Sequence, residues 1–594
     1  MRKILLFSSA IFNFSLPFIF SRQTQQIFEL NKFAFLLFFS GLIFLLSFFY
    51  FHFEKKKKIS FLPLPKKLFL ITLLFFTFLI IGTIFSVSIT ESFWGSYFRH
   101  QGFLLFFIIF LFAFLLLIID FKKQELFLFF CLPIFLAGIF QSIICLIQYF
   151  FPGQIFSDLV IEKFATRSLG TFGQPNFAAR FLIFPFFIGF SWLFPKNQNI
   201  KKEKEIYFFK KFLIFFSLIL IFSGILTTSS RAGIVGVITG IIIFFIAKFQ
   251  LFKTSNFKFI TKKNLTIAFL ILFLSSGTFF IFKDKFLQRF ASIDFRILLL
   301  SNAPQAIKKN PFLGWGLEGQ EIALASIANE DMYKSSGGNI LDRVHNEILD
   351  FTLQIGILGT LTYLLFLFLA FKQGWQNLTF LSKNQLKEKL ISNISQQKKA
   401  KIIQEKNKNI FFLYQQLGIF SALIGTFIAR QFGFFSTVES YYFFIFLFFF
   451  AGLKQDFFTK ENIYITGFKK NIFIFSLLII SFCCFYSTQK IWLADKLLFE
   501  KQYLTAHQKF PSNKIIAKKL ILTSLRKKDF SKAEKTLTIL EKFHPHWSET
   551  YYLRALFFYE KNSLQQAQKN LQKALDSFSV NKKYQNFMKQ INHQ

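Results

Sequence analysis

From Phe103 to Ile119 the chain reads FLLFFIIFLFAFLLLII, with no charged or hydrogen-bonding side chain. A run of about 18 or more apolar residues is read as a membrane-crossing helix. Hydrocarbon offers the backbone no hydrogen-bond partner, and a helix satisfies its own groups. Comparable runs, Ile472 to Tyr486 among them, recur along the first 490 residues. At about 150 residues per soluble domain, 594 residues would suggest about four domains. The distribution of apolar residues excludes that, along with a soluble enzyme, a secreted disulfide scaffold and a disordered chain.

The net charge of +39 invites a nucleic-acid reading. The lysines, however, stand in short runs between apolar segments, where the positive-inside rule places them. No nucleic-acid partner is expected. Cys131, Cys145, Cys483 and Cys484 lie within apolar segments, without metal-site or disulfide spacing. Met1-Arg2-Lys3 and the apolar run after it lack a small-residue cleavage site, so this is the first span and not a signal peptide.

The expected fold is an all-α polytopic membrane bundle of about twelve to thirteen spans. They lie near 4–20, 33–53, 68–86, 103–119, 126–150, 177–194, 212–226, 232–247, 265–282, 347–371, 411–430, 440–453 and 471–487. The twelfth is short and is either re-entrant or extended by Phe434 and Phe435. Lysine clusters at 55–58, 122–123, 201–211, 262–263, 398–401 and 469–470 mark the cytoplasmic side. Strict alternation is not expected to place them all on one side, which implies an error in the span list. With Arg2 and Lys3 inside, thirteen spans put the C-terminus outside.

Two segments lie outside the spans. Residues 283–346 form a large extracytoplasmic loop, with a helix expected from Ala303 to Lys309. Residues 490–594 form a soluble helical tail after a membrane domain of residues 1–489. In the tail Pro511 and Pro545, Ala533 and Ala567, and Phe530 and Leu564 keep a step of 34, as do Ala506, Leu540 and Ala574. This period, with small residues at helix crossings, resembles the tetratricopeptide repeat. So few repeats lean on the membrane domain or on a protein partner.

Ionisable residues at membrane depth are costly and mark function by default. Arg231 follows Thr227-Thr228-Ser229-Ser230 at the eighth span, Arg180 follows Asn176 at the sixth, and Arg343-Val344-His345-Asn346 precedes the tenth. Arg296 lies in the large loop and Arg430 ends the eleventh span. The sixth, eighth and tenth spans run in one direction, so their N-termini, each with unpaired N–H groups and about half a positive charge, face outward together. Asn176, Ser229 or Ser230, and Asn346 are the expected N-caps. Helix N-termini beside Arg side chains make an anion site and suit a diphosphate. His345 is the candidate general base; Glu347 and Asp350 stand nearby. No metal or cofactor is expected, because the loop lacks His-x-x-x-His or paired-Asp spacing. Gly314-Trp315-Gly316-Leu317-Glu318-Gly319 spells a dinucleotide fingerprint without the strand such a site needs. Its glycines are expected to turn tightly beside the substrate, and Gly236 and Gly240 to pack helices.

In order, the chain carries Gly173-Gln174-Pro175-Asn176, Thr228-Ser229-Ser230-Arg231-Ala232-Gly233, Arg296, Asn310-Pro311-Phe312-Leu313-Gly314-Trp315-Gly316, His345-Asn346-Glu347 and Gly356-Ile357-Leu358-Gly359. This set resembles the O-antigen ligase family of bacterial inner-membrane glycosyltransferases, which includes O-antigen polymerases and protein O-oligosaccharyltransferases. Many members carry Trp where Asn302-Ala303 stands here. The resemblance implies a GT-C-like fold and inverting, metal-independent transfer from an undecaprenyl-diphosphate-linked glycan to a lipid or protein acceptor hydroxyl, as in lipopolysaccharide biosynthesis. It implies Arg231 and Arg296 on the diphosphate and His345 as base. A polysaccharide polymerase of the same family is the alternative. An anion transporter, the alternative from a different class, is disfavoured because no duplication of spans and no carboxylate relay is seen, and an inactive scaffold because both Arg231 and His345 are present.

Overall fold

The fold comes from a computed structural model that describes residues 1–53, 59–60, 64–119, 123–152, 167–195, 204–252, 291–338, 341–387, 396–452 and 464–593. The chain is an all-α polytopic membrane protein. Its first half holds α1 (Arg2–Ser15), α2 (Glu29–Phe53), α3 (Lys66–Ile84), α4 (Ile89–Trp94), α5 (Phe103–Ile119), α6 (Lys123–Leu126), α7 (Leu132–Phe150), α8 (Pro175–Trp192), α9 (Lys204–Thr227) and α10 (Arg231–Phe252). The second half holds α11 (Ala291–Lys309), α12 (Gln320–Ala325), α13 (Glu330–Ser335), α14 (Glu347–Lys387), α15 (Gln396–Arg430), α16 (Thr437–Gly452) and α17 (Gly467–Phe499). Among the described residues eight helices are long and apolar enough to cross a membrane, and α5 and α16 are shorter apolar helices. The expected span at 265–282 lies outside the described residues. The twelfth span is α16, and all 16 of its residues are buried. It is short because it is the central post of the bundle; Phe434 and Phe435 stay in the turn before it.

One end of the bundle is marked by a two-residue antiparallel ladder, Ile59 with Ile465 and Ser60 with Tyr464. It joins the segment before α3 to the segment before α17. At the same end Phe127 packs on Trp192, the last residue of α8, at 5.1 Å, and Phe130 on Phe449 at 4.8 Å. There too Lys211 Nζ donates to Leu193 O at 2.6 Å. Lys66, Lys67, Lys123, Lys211, Lys469 and Lys470 therefore begin α3, α6, α9 and α17 from one side. Counted along the sequence, strict alternation of the thirteen expected spans already puts every one of these lysine clusters on one side, so the expected misfit does not arise.

Close helix packing relies on small residues. Gly236 and Gly425 face each other across α10 and α15, where a Cβ on either would meet the other's carbonyl oxygen within 2.7 Å. Gly240 is equally tight against Phe187. This is the packing role read from the sequence.

The large loop is folded and pinned to a break in a membrane helix. Within α14, Gly356 has φ 71° and ψ 179°, which interrupts the helix. The carbonyls freed there are taken up by the loop: Trp315 N donates to Leu353 O at 2.7 Å and Gly316 N to Gln354 O at 2.9 Å. Gly314 (φ 70°) and Gly316 (φ 92°) permit this approach, since a Cβ on either would collide with Gln354 or Ser86. The glycines thus turn against the helix break. The loop's first helix, expected from Ala303, is longer and includes Arg296.

α17 continues through residues 489 and 490 to Phe499, so a continuous helix joins the membrane bundle to the tail. The tail holds α18 (Tyr503–Lys509), α19 (Lys514–Arg526), α20 (Phe530–Phe543), α21 (Ser548–Glu560), α22 (Leu564–Ser577) and α23 (Lys582–Asn592). Helix starts at Lys514, Ser548 and Lys582 keep the 34-residue step, and Ala533 and Ala567 are fully buried. The tail rests on the loop side. Lys514 Nζ lies 2.8 Å from Glu91 of α4 and 2.7 Å from Glu321 of α12, and Tyr333 packs on Phe578 at 6.0 Å.

Candidate active site

The candidate residues converge on the turn from Gln431 to Ser436, between α15 and α16. A helix end leaves its last carbonyls without partners, and here side chains from distant segments supply donors. Asn346 Nδ2 donates to Gln431 O at 3.1 Å, Arg296 Nη1 to Phe432 O at 3.1 Å, Arg180 Nη2 to Phe434 O, and Gln101 Nε2 to Phe435 O. The Phe434 ring lies 5.1 Å from the His345 ring and 4.2 Å from Arg99 Cζ.

Behind the turn is a buried set of four charges. Arg180 Nε lies 2.9 Å from Glu439 Oε2, Arg430 Nη2 3.0 Å from Glu347 Oε1, and Arg430 Nε 3.7 Å from Glu439 Oε1. Tyr363 donates to Glu347 Oε1 at 2.6 Å. None of the four is more than 1% exposed, and the two positive charges match the two negative ones. Unpaired, each would be several kcal/mol out of place, about 3–5 when one partner is removed. Paired, they lock the openings of α8, α14 and α16 to the end of α15.

His345 has φ 66°, a left-handed conformation uncommon outside glycine. Such strain is held only where neighbours over-determine it. Here they do. Val344 N donates to Asp350 Oδ1 at 2.9 Å, while Arg343 binds Glu318 Oε1 at 2.7 Å and Gln320 Oε1 at 2.9 Å. Asn346 Oδ1 accepts from Leu349 N at 3.0 Å and caps α14. Burial, then the positive charges of Arg296, Arg99 and Arg180, push the His345 imidazole down to about 3 against the pull of Asp342. The ring is therefore neutral at pH 7, with one nitrogen unprotonated. Burial raises the Asp342 carboxyl, but Arg99 (Nε to Oδ2 2.8 Å) and Arg343 outweigh it, and the net shift is downward.

The structure separates the expected anion-site residues into two neighbouring groups. His345, Asn346, Arg296 and Arg180 meet at the 431–436 turn. Asn176, Ser230 and Arg231 form the second group, where Arg167 Nε donates to Thr228 O at 2.8 Å and Arg167 Nη2 to Asn176 Oδ1 at 3.2 Å. Phe177 and Phe434, 5.5 Å apart, connect the groups. Ser230 Oγ accepts from Gly233 N at 3.3 Å and caps α10, and half-buried Arg231 is the first residue of that helix. Asn176 is not the N-cap of α8. Pro175 at the first helical position fixes the start two residues earlier than an Asn176 cap would, and the cap is Gln174, without a side-chain bond. Arg180 is not open to a ligand, because its guanidinium is buried against Glu439 and Phe434.

Sequence reasoning missed Arg99, Gln101, Arg167 and the turn itself. Arg99-His100-Gln101 lies between Gly95 and Gly102 just before α5, and a cation between glycines at a span's rim was the available signal. Nothing in the order of residues sets apart the turn, whose backbone carbonyls do the gathering. Among the described residues no group of three His, Cys, Asp or Glu side chains is placed to hold a metal ion.

Residues 216–364 match the family model described as O-antigen ligase. This stretch is an O-antigen ligase domain. It runs from α9 into α14 and contains Ser230, Arg231, Arg296, His345 and Asn346, while Arg99, Arg167, Arg180 and the 431–436 turn lie outside it. No curated protein matches the chain. The apolar helices make this a multi-pass membrane protein, and its O-antigen ligase domain implies an enzyme of glycosyltransferase type.

Proposed function

We propose that the enzyme moves a glycan from undecaprenyl diphosphate to an acceptor hydroxyl at the outer face of a bacterial cytoplasmic membrane, by inverting, metal-independent transfer. The observation that supports this most is a neutral, strained His345 surrounded by Arg296, Arg99 and Arg180 at a rim where α8, α10 and α14 all begin. Arg231 and Arg296 bind the diphosphate, helped by the N–H groups at the start of α10 capped at Ser230. Asn176, Asn346 and Arg180 position the walls of that site.

The acceptor oxygen attacks the anomeric carbon on the face opposite the diphosphate. Its proton passes to His345, the C–O bond to the diphosphate breaks, and undecaprenyl diphosphate leaves with the negative charge that the guanidiniums stabilise. Bound diphosphate also raises the proton affinity of His345, because an anion favours the imidazolium. The base is thus strengthened when the donor is in place. The large loop and the tetratricopeptide-like tail stand on the substrate side, and the lysine-rich end faces the cytoplasm.

The test is reconstitution of the full chain in vesicles with an undecaprenyl-diphosphate-linked oligosaccharide and candidate acceptors, with a chelator present. Release of undecaprenyl diphosphate in step with transferred glycan is expected. No release from intact protein over a set of lipid, protein and glycan acceptors overturns the reading. The same acceptors separate a ligase from a polymerase, which joins glycan only to glycan.

A further inference from the structure

A cavity of about 280 Å³ lies between the large loop and the tail, away from the 431–436 turn. Trp315 and Glu321 line it from the loop, and His546, Trp547, Tyr551 and Phe578 from the tail. Small-molecule pockets occupy about 300–1,000 Å³, so this space suits one or two rings and not a long chain.

Its walls are fixed before any ligand arrives. Trp315 Nε1 donates to Ala306 O at 3.0 Å, and Trp547 Nε1 donates to Glu321 Oε1 at 2.8 Å. Both indole N–H groups are thus used within the protein, which holds the rings still; Trp547 is buried as a wall, and half-buried Trp315 and Tyr551 offer the aromatic contact surface. Pre-set walls reduce the cost of binding. No Lys or Arg is among the lining side chains. Lys514, 4.9 Å from the Trp547 ring, is neutralised by Glu91 and Glu321; Lys573 stands 5.7 Å from the Tyr551 ring. Aromatic faces beside the His546 imidazole and serine hydroxyls match a pyranose, which presents C–H groups on its faces and hydroxyls at its edge. They do not match a phosphate. The cavity is also coupled to the rim of the site. Arg343, two residues before His345, binds Gln320 at the start of α12, and the next residue is Glu321.

We propose that this cavity is a saccharide subsite, which holds an uncharged sugar of the glycan being transferred or extended. The proposal rests on the glycosyltransferase reading above. It makes the tail part of substrate binding as well as a support.

The test places a photocrosslinker, Tyr551→p-benzoylphenylalanine, in the full chain in cells that make its glycan. An adduct destroyed by periodate and resistant to protease is expected. An adduct sensitive to protease means that a peptide occupies the cavity, and no adduct means that it is not a subsite; either result overturns the proposal. With purified protein, Tyr551→Ala is expected to raise the KM for the glycan substrate about two- to tenfold, the loss of one aromatic contact, with kcat little changed. An unchanged KM in a variant that still transfers glycan rejects the subsite and leaves the glycosyltransferase reading intact. A wild-type protein that transfers nothing rejects that reading instead.

Discussion

Arg180 Nε stands 2.9 Å from Glu439 Oε2, and through this pair the second turn of α8 is tied to the first turn of α16, 259 residues later. The same guanidinium holds the Phe434 carbonyl, so the ion pair sets the turn on which Arg296, Asn346 and His345 meet. Removing one partner of a buried pair costs about 3–5 kcal/mol, because the other charge is left unpaired. Glu439→Gln is therefore expected to lower the melting temperature and the membrane abundance of the protein. Arg180→Met combined with Glu439→Met should recover part of the loss. Thermal unfolding of Glu439→Gln, of Arg180→Met and Glu439→Met singly, and of the double variant in one detergent checks this. Equal melting of Glu439→Gln and wild type would show that the pair carries no weight.

Arg231 and Arg296 are assigned to the donor diphosphate. Arg231→Lys keeps the charge but loses the planar fork, and it is expected to abolish most transfer while the protein still inserts. Arg296→Ala should act in the same direction. Transfer rates at matched membrane abundance decide. Normal activity of Arg231→Ala or Arg296→Ala would remove that residue from the diphosphate grip.

General base catalysis contributes about 10²–10⁴-fold. His345→Gln, similar in size but unable to take up a proton at neutral pH, should reduce turnover by that order and leave donor binding nearly unchanged. Turnover and donor affinity are measured on the same reconstituted protein. A wild-type rate would make His345 a binding or shaping residue. Glu347 and Asp350 do not take its place, since Glu347 is fully buried against Arg430 and Tyr363 and Asp350 is buried on the Val344 N–H.

Docking of the tail should depend on pH. His544 Nδ1 lies 3.1 Å from Ser88 Oγ, and its Nε2 lies 2.8 Å from Ser512 O. Burial first, then Lys514, pushes its imidazole from 6.5 down to about 4, against the Ser512 carbonyl and Glu321. The folded value is below the unfolded one, so this contribution to stability is complete above about pH 6.5 and is lost as pH falls toward 4. Glu91, which binds Lys514 at the same contact, is pushed by burial up to about 7 and acts in the opposite direction. In limited proteolysis of the full chain, the rise in tail release from pH 7 to pH 5 should therefore be larger for wild type than for His544→Asn. His100, pushed by burial to about 3, adds a similar slope to overall melting, which is why the readout must be specific to the tail.

Sidedness is tested by reporter fusions. Fusions after Lys204 and after Lys399 should report the cytoplasm, and fusions near Lys309 and after Gln594 the opposite side. A cytoplasmic signal from the Gln594 fusion would reverse the placement of the tail relative to the substrate.

The helices and two of the three expected caps were legible in the sequence, because both depend on local chemistry. Apolar runs such as Phe103 to Ile119 must become helices in hydrocarbon whatever surrounds them, and α5 has those bounds. Ser230 and Asn346 bond to N–H groups three residues ahead, a reach the sequence contains. His345 could be singled out by residue type and position at a rim. Its strained φ, its neutral ring and its contact with Phe434 could not. Arg180 shows the limit most clearly. Near a helix N-terminus it reads as an anion ligand, but its carboxylate partner is supplied by Glu439 from the far part of the chain. The turn at 431–436 gathers its donors through backbone carbonyls, which every residue possesses and no sequence pattern distinguishes. Tertiary structure alone decided which carboxylate Arg180 meets, because an ion pair forms between groups brought within a few ångströms by packing, and sequence separation places no bound on that.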